Sequence, residues 1–212
     1  MRRAIIFCNG DLSDVSPVRK YISKNTLLIG CDGGASHILS LGKTPDVVIG
    51  DFDSLSRGKQ KMLTEKGVRF IRYPKDKIYT DSELGLMFAQ EQGCGEIIIT
   101  GIRGTHTDHL FANLALLAKK KYTSLDMKII DGKETITLVR KRIRIRGKTG
   151  DIVSLIAIRS GATGVVTKGL FYPLKNGALA AWSAQGLRNH LTSTRAEITL
   201  QKGALLLIHQ KS

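Results

Sequence analysis

Over its first 130 residues the chain alternates short apolar runs with segments of helical spacing, and this alternation restricts the fold more than any single motif. The runs at 4–8, 26–31, 47–50, 68–73, 96–100 and 127–130 read as buried strands. Between them, helices are expected at 18–23, opened by Ser16-Pro17, and at 35–41, 56–66, 81–92 and 107–120. In the last of these Leu110, Leu114 and Leu117 share one face. Apolar strands alternating with helices predict a mostly parallel sheet covered on both faces. Such sheets bind ligands beyond the carboxyl ends of their strands. The unusual residues gather at those ends: CDGGA from Cys31, GDFDS from Gly50, KDKIYTD from Lys75 and TGIRGTHTDH from Thr100.

Beyond about Gly132 the helical spacing fades. ETITLVRKRIRIRG, DIVSLIAI, ATGVVTKGL, EITL and GALLLIH read as short strands separated by turns. The expected organisation is therefore an α/β domain over 1–131 and an all-β sandwich over 132–212, with no long linker between them. In the stretch 140–148 Arg140, Arg142, Arg144, Arg146 and Lys148 fall on one strand face, and Ile143 and Ile145 on the other. A solvated basic face that discourages edge pairing explains this pattern, and a polyanion-binding stripe is the sharper alternative.

The formal charge of +15 points to an anionic partner, whether nucleotide, polyphosphate, nucleic acid or acidic membrane surface, although solubility alone also accounts for it. No apolar run approaches the roughly 20 residues of a membrane span, and the apolar run near the start is too short for a signal peptide. A cytoplasmic protein is expected. Cys8, Cys31 and Cys94 are widely spaced without a C-x-x-C pair, which predicts buried free thiols rather than a zinc site.

Asp51 and Asp53 stand two apart at a strand end. In an extended segment both side chains point the same way. Two adjacent carboxylates repel and are costly to desolvate unless a cation joins them. Mg²⁺ suits such a place, because it takes one or two carboxylates with waters and substrate phosphates. Asp32 and Asp81, at neighbouring strand ends, add to the same acidic centre. The plainer alternative is that Asp51 starts a turn and Asp53 caps the next helix. Gly33 and Gly34 allow backbone near a ligand, and Gly101 and Gly104 precede a helix start that offers N–H groups to phosphate. The chain has no G-x-x-x-x-G-K-[ST], so it is not a P-loop protein. Phosphoryl or pyrophosphoryl transfer needs mainly positioning and charge neutralisation, which these residues supply.

DGGA, GDFDS, the Thr80-Asp81 helix start, DHLFANL from Asp108 and, more loosely, TKGLFYPL from Thr167 and the Asn189 region occur in the order found in thiamine pyrophosphokinases. The chain resembles that family over nearly its whole length. The resemblance implies transfer of a pyrophosphoryl group from ATP to the hydroxyethyl oxygen of thiamine, with Mg²⁺, by a homodimer. It implies that Asp51, Asp53 and Asp81 are catalytic and hold the metal. It places Lys77, Thr80, Arg103, Gly104, Asp108 and His109 on the ATP side, and Asp32, Trp182, Arg188 and Asn189 near thiamine.

Three positions depart from the family pattern. Ile78 stands where an aspartate is expected, with Asp76 or Asp32 as compensation. His106 replaces an arginine, with Arg103 as substitute. Arg188 replaces a serine, which suits a cationic acceptor poorly. The competing hypothesis is a divergent relative with another acceptor, or a non-catalytic protein that binds nucleotide or nucleic-acid phosphates. Trp182, the only tryptophan, either stacks on a ring or packs in the core. His37 and His209 read as structural.

Overall fold

The computed structural model describes all 212 residues, which divide into two compact units, Met1–Gly132 and Lys133–Ser212. No helix is long and apolar enough to cross a membrane.

The first unit is built from β1 (Arg2–Phe7), α1 (Ser16–Arg19), β2 (Leu27–Cys31), α2 (Gly34–Ser40), β3 (Val47–Gly50), α3 (Arg57–Glu65), β4 (Arg69–Arg72), α4 (Asp81–Glu91), β5 (Cys94–Thr100), α5 (Thr107–Leu116) and β6 (Asp126–Asp131). Its strands are all parallel, in the order β4-β3-β2-β1-β5-β6. The apolar runs are continuous rather than alternating because both faces are covered. Ile5, Phe7, Leu28 and Ile98 pack with Val18 of α1 and Ile38 of α2. Ile6 and Ile29 face the other way, against α4, where Gly85 comes so close that an added Cβ would meet Ile6, Ile29 and Cys31 at 3.2–3.4 Å. Each such fully buried Ile or Phe contributes about 1.5–3 kcal/mol. All three cysteines are buried free thiols, as expected.

The order turns back at β1. Strands β2, β3 and β4 extend to one side of it, β5 and β6 to the other. At such a switch the loops leaving the two neighbouring strands part and open a crevice.

Two expected helices are shorter. α1 stops at Arg19 because the Ser23 N–H and hydroxyl bond the Thr26 hydroxyl, a local turn that competes with helix. α5 stops at Leu116, followed by a 3₁₀ turn over Lys120–Tyr122. Its buried face also differs from the leucine stripe: Asn113, Leu116 and Leu117 are buried, whereas Leu110 and Leu114 are half-exposed.

The second unit contains β7 (Glu134–Val139), β8 (Arg142–Arg146), β9 (Ile152–Lys168), β10 (Gly177–Leu179), β11 (Asn189–His190), β12 (Arg195–Thr199) and β13 (Lys202–Gln210). It is an antiparallel β domain. β13 lies between β7 and β9 in one sheet, and β12 lies between β8 and the far end of β9 in the other. Val139, Leu155, Leu205 and Leu207 of the first sheet meet Ile145, Ala196 and Ile198 of the second in one core. The two strands expected from DIVSLIAI and ATGVVTKGL are the single strand β9. Arg159 and Gly161, at φ 58° and 92°, bend it without a reversal, so it serves both sheets. β10 and β11 are too short to show as runs in the sequence.

Asp151 anchors this unit. Its buried carboxylate accepts from the Lys148 N–H (3.0 Å), the Ser212 N–H (3.0 Å) and hydroxyl (3.1 Å), and His209 Nε2 (2.9 Å). His209 is thus structural, as its apolar setting suggests. Burial alone would raise the carboxyl pKa, but the Ser212 and Lys148 N–H groups and His209 outweigh it and hold Asp151 well below the ordinary carboxylate range. The sign follows from linkage. A depressed folded pKa gives stability present above the unfolded value of about 3.9 and lost as pH falls through the lower folded value. Asp151→Asn is expected to lower unfolding stability at neutral pH by about 1–3 kcal/mol in urea titrations, and to flatten the loss of stability between pH 4 and pH 2 (approximate limits set by the same linkage).

Candidate active site

β3 ends in an unusual backbone. Gly50 has φ 145° and Phe52 φ 70°. The chain curls here instead of running on, and the Asp53 N–H donates to Asp51 Oδ1 at 2.9 Å. Asp51 and Asp53 are therefore brought together by this turn and not by strand alternation. Asp51 turns inward with a side chain 17% exposed, and Asp53 sits on the rim at 56%. Lys75 lies against Asp53 and within 4.0 Å of Asp51. Asp51 does start the turn, but the cap of α3 is Ser56, which accepts from the Lys59 N–H, and not Asp53.

Asp32 follows β2 in the left-handed region at φ 47°. Its buried carboxylate occupies the space where a side chain on Gly50 would lie, and its Oδ1 accepts from the Phe52 N–H at 2.9 Å. Asp81 opens α4, which Thr80 caps by accepting from the Glu83 N–H. Lys77 Nζ is 2.8 Å from Asp81 Oδ1. Burial raises the Asp32 pKa, the Phe52 N–H opposes this, and the negative charges of Asp81 and Asp51 add to the rise, taking it to about 7. Asp32, Asp51 and Asp81 thus form one electrostatic centre, with Asp53 at its edge.

No three His, Cys, Asp or Glu side chains form a group that could hold a metal alone. Lys75 and Lys77 instead supply the positive charge beside the carboxylates. The donor set still fits Mg²⁺ as that ion is commonly bound, through one or two carboxylates, with waters and substrate phosphates completing the shell. It does not form a closed protein cage.

The centre borders a crevice of about 320 Å³ at the β1/β5 switch. Gly10 and Asp11, after β1, donate their N–H groups to the Gly101 and Arg103 carbonyls, after β5, and so clamp the two loops together. His37 Nε2 lies 2.9 Å from the Gly10 carbonyl and ties the first loop to α2. Asp32, Thr80, Asp81, Arg103, Gly104, His106 and His109 all line the crevice. Arg103 Nε reaches Asp131 Oδ2 at 3.3 Å, which holds the guanidinium at the same wall as His106. Asp108 does not line the crevice. It is exposed, and its Oδ1 accepts from the His109 N–H. Ile78 is 95% exposed and Asp76 is exposed too, so of the two compensating aspartates only Asp32 belongs to the centre.

The sequence reading missed Asn9, Asp11, Ser82 and Asn113, all of which line the crevice. Ser82 joins Thr80 at 2.9 Å and Asn113 by a short hydrogen bond, linking the start of α4 to the buried face of α5. The signal for the first two was available, because C-N-G-D follows the first strand as the other motifs follow theirs. Asn113 on an otherwise apolar helix face is the signal for the second pair.

Trp182, Arg188 and Asn189 belong to the second unit and hang on the first half of β9. The Trp182 N–H donates to the Ala157 carbonyl, the Arg188 N–H to Ser154 Oγ, and Asn189 lies in β11, paired with Val153. Trp182 is 65% exposed, so core packing is ruled out. The Asn189 amide bonds the Tyr172 N–H and carbonyl, at 3.0 and 2.8 Å, and therefore shapes the turn at 171–172. Phe171 stacks on His190 beside it, with ring centroids 4.6 Å apart.

A crevice beside clustered carboxylates at the strand-order switch of an α/β unit, followed by an antiparallel β unit, is the arrangement of a two-domain enzyme with its site at the strand ends. Comparison with known families specifies it. Residues 18–129 match the catalytic domain of thiamin pyrophosphokinase, and residues 140–205 match its vitamin B1 binding domain. Thiamine pyrophosphokinase of Bacillus subtilis (strain 168) is 27% identical over 210 residues, 98% of each chain. The crystal structure of the enzyme from Bacillus subtilis superposes with a TM-score of 0.90 at 26% identity, both chains being covered in full. That from Geobacillus thermodenitrificans gives 0.85 at 27% identity, covering 100% of this chain and 98% of the other. The chain belongs to the thiamine pyrophosphokinase family.

Gly50→Ala is expected to push the Asp32 carboxylate from its bond to the Phe52 N–H while straining a conformation that only glycine adopts readily. A stability loss of about 1–3 kcal/mol, read from the urea midpoint, is the expected outcome.

Proposed function

We propose that this chain transfers the pyrophosphoryl group of ATP to thiamine, giving thiamine diphosphate and AMP. The observation that carries the reading is the meeting of Asp32 and Asp81, with Asp51 beside Asp32, at the β1/β5 crevice, where hydrogen-bond donors and carboxylates come together. ATP lies along the crevice. The α5 start, Arg103 and His109 face its phosphates, and Thr80 and Asn113 line the wall. Asp51 and Asp81, backed by Asp32, hold Mg²⁺, with Asp53 reaching in from the rim; when bound, the ion neutralises phosphate charge. Lys75 and Lys77 are positioned to pass from the carboxylates to the phosphates as the nucleotide enters. The hydroxyethyl O–H of thiamine then gives its proton to solvent as its oxygen bonds the β-phosphorus, the bond from the β-phosphorus to the α-phosphate's bridging oxygen breaks, and AMP leaves with that oxygen. Charge neutralisation and alignment are what such a transfer asks of the protein.

Thiamine is assigned to the second unit, by Trp182, Arg188 and Asn189. The chain works as a homodimer, a reading supported by the exposed Phe171, Tyr172 and Trp182 of that unit. The three free thiols suit a reducing, cytoplasmic setting.

AMP release from ATP and Mg²⁺, measured with and without thiamine, tests the activity. Asp51→Asn and Asp81→Asn are each expected to lower thiamine-dependent AMP formation by about 100-fold or more, with circular dichroism unchanged. Wild-type turnover in either variant, or AMP formed equally without thiamine, would overturn the assignment.

A further inference from the structure

The outer face of the β8–β12–β9 sheet carries a charge pattern that neither the activity nor strand protection explains. Arg142, Arg144 and Arg146 project from β8, Arg195 from β12 and Lys168 from the end of β9, all exposed. Glu197 is the one acid among them. It accepts from Arg142 Nη2 at 2.6 Å and Arg144 Nε at 2.7 Å, and those arginines hold its carboxyl down to about 2. Arg146, Arg195 and Lys168 take part in no ion pair.

β8 is an edge strand, since only β12 pairs with it, and basic side chains there guard against pairing with another chain. That accounts for the arginines of β8 only. β12 is flanked on both sides, and Lys168 lies on a strand that β12 already covers. Arg195 is moreover the direct cross-strand partner of Arg146. Like charges placed opposite each other destabilise an antiparallel pair. Solubility could be served by the same charges anywhere else on the surface. An anion seated between the two guanidinium groups converts the repulsion into attraction.

The space for it exists. Arg144, Arg146, Lys168, Ser193, Arg195 and Glu197 surround a cleft of about 410 Å³, within the range of small-ligand sites. Guanidinium forks match phosphate oxygens, and lysine adds a point charge. No aromatic side chain lines the cleft, so it offers phosphate recognition without base stacking. We propose that this cleft is a second anion site, which takes a chain of phosphoryl groups independently of the β1/β5 crevice.

Titration calorimetry of the full chain with inorganic triphosphate at low salt tests this. Two classes of binding are expected in the wild type. In Arg146→Ser/Arg195→Ser one class should weaken by about tenfold or more, the worth of one lost charge-assisted hydrogen bond, while thiamine-dependent AMP formation and circular dichroism stay unchanged. Arg146→Lys/Arg195→Lys, which keeps the charge and loses the forks, should fall between the two, and the affected class should weaken steeply with added salt. Adding a short single-stranded RNA separates the sources. Displacement of triphosphate from this class alone assigns the chain of phosphates to a polynucleotide backbone, and its failure assigns it to free oligophosphate. An isotherm that is the same in wild type and serine variant, or a single class lost only in Asp51→Asn, would overturn the second site without touching the proposed activity.

Discussion

Three carboxylates that repel one another set the terms for the rest of the first unit. Asp32, Asp51 and Asp81 come from the ends of β2 and β3 and the start of α4, elements far apart in sequence. Holding them together costs electrostatic and desolvation energy. The apolar sheet supplies the compensating stability, since Ile5, Ile6, Phe7, Ile29 and Ile49 are buried almost completely. Gly50 makes room for Asp32, and Lys75 and Lys77 bring the opposing charge. Positive charge brought to such a place relieves a repulsion already present.

The crevice is a consequence of strand order rather than of any one loop. Because β1 has β2 on one side and β5 on the other, the loops after β1 and β5 diverge and are rejoined by the bonds from Gly10 and Asp11. Ser82 and Asn113 extend this wall by linking α4 to α5. The same logic of tolerated cost recurs in the second unit, where Arg146 faces Arg195 across a ladder that gains nothing from the pairing.

Much of this was legible in the residues. Continuous apolar runs separated by helices mark a two-sided parallel sheet, and GDFDS, DGGA and Thr80-Asp81 mark strand ends with chemistry. Other inferences failed for identifiable reasons. Gly50–Ser54 is not extended: positive φ at Gly50 and Phe52 makes a turn, and it is this turn that brings the Asp51 and Asp53 carboxylates to the same Lys75. Trp182 was placed equally in core or site, and its exposure decides against the core. Two strands were read where one bent strand runs, because Arg159 and Gly161 resemble a turn locally and only the pairing with β13 and β12 shows the chain continuing.

The sequence by itself determined the class of fold, the positions of the strand ends and the residue types that gather there, since periodicity and turn chemistry are local properties. Tertiary structure decided which of those ends meet. Strand order brings Asp32 and Asp81 together, leaves Asp53 on the rim, adds Asn9 and Asn113 to the wall and sets Arg195 against Arg146. None of these follows from spacing along the chain, because each is a contact between segments whose separation is set only when the sheets form.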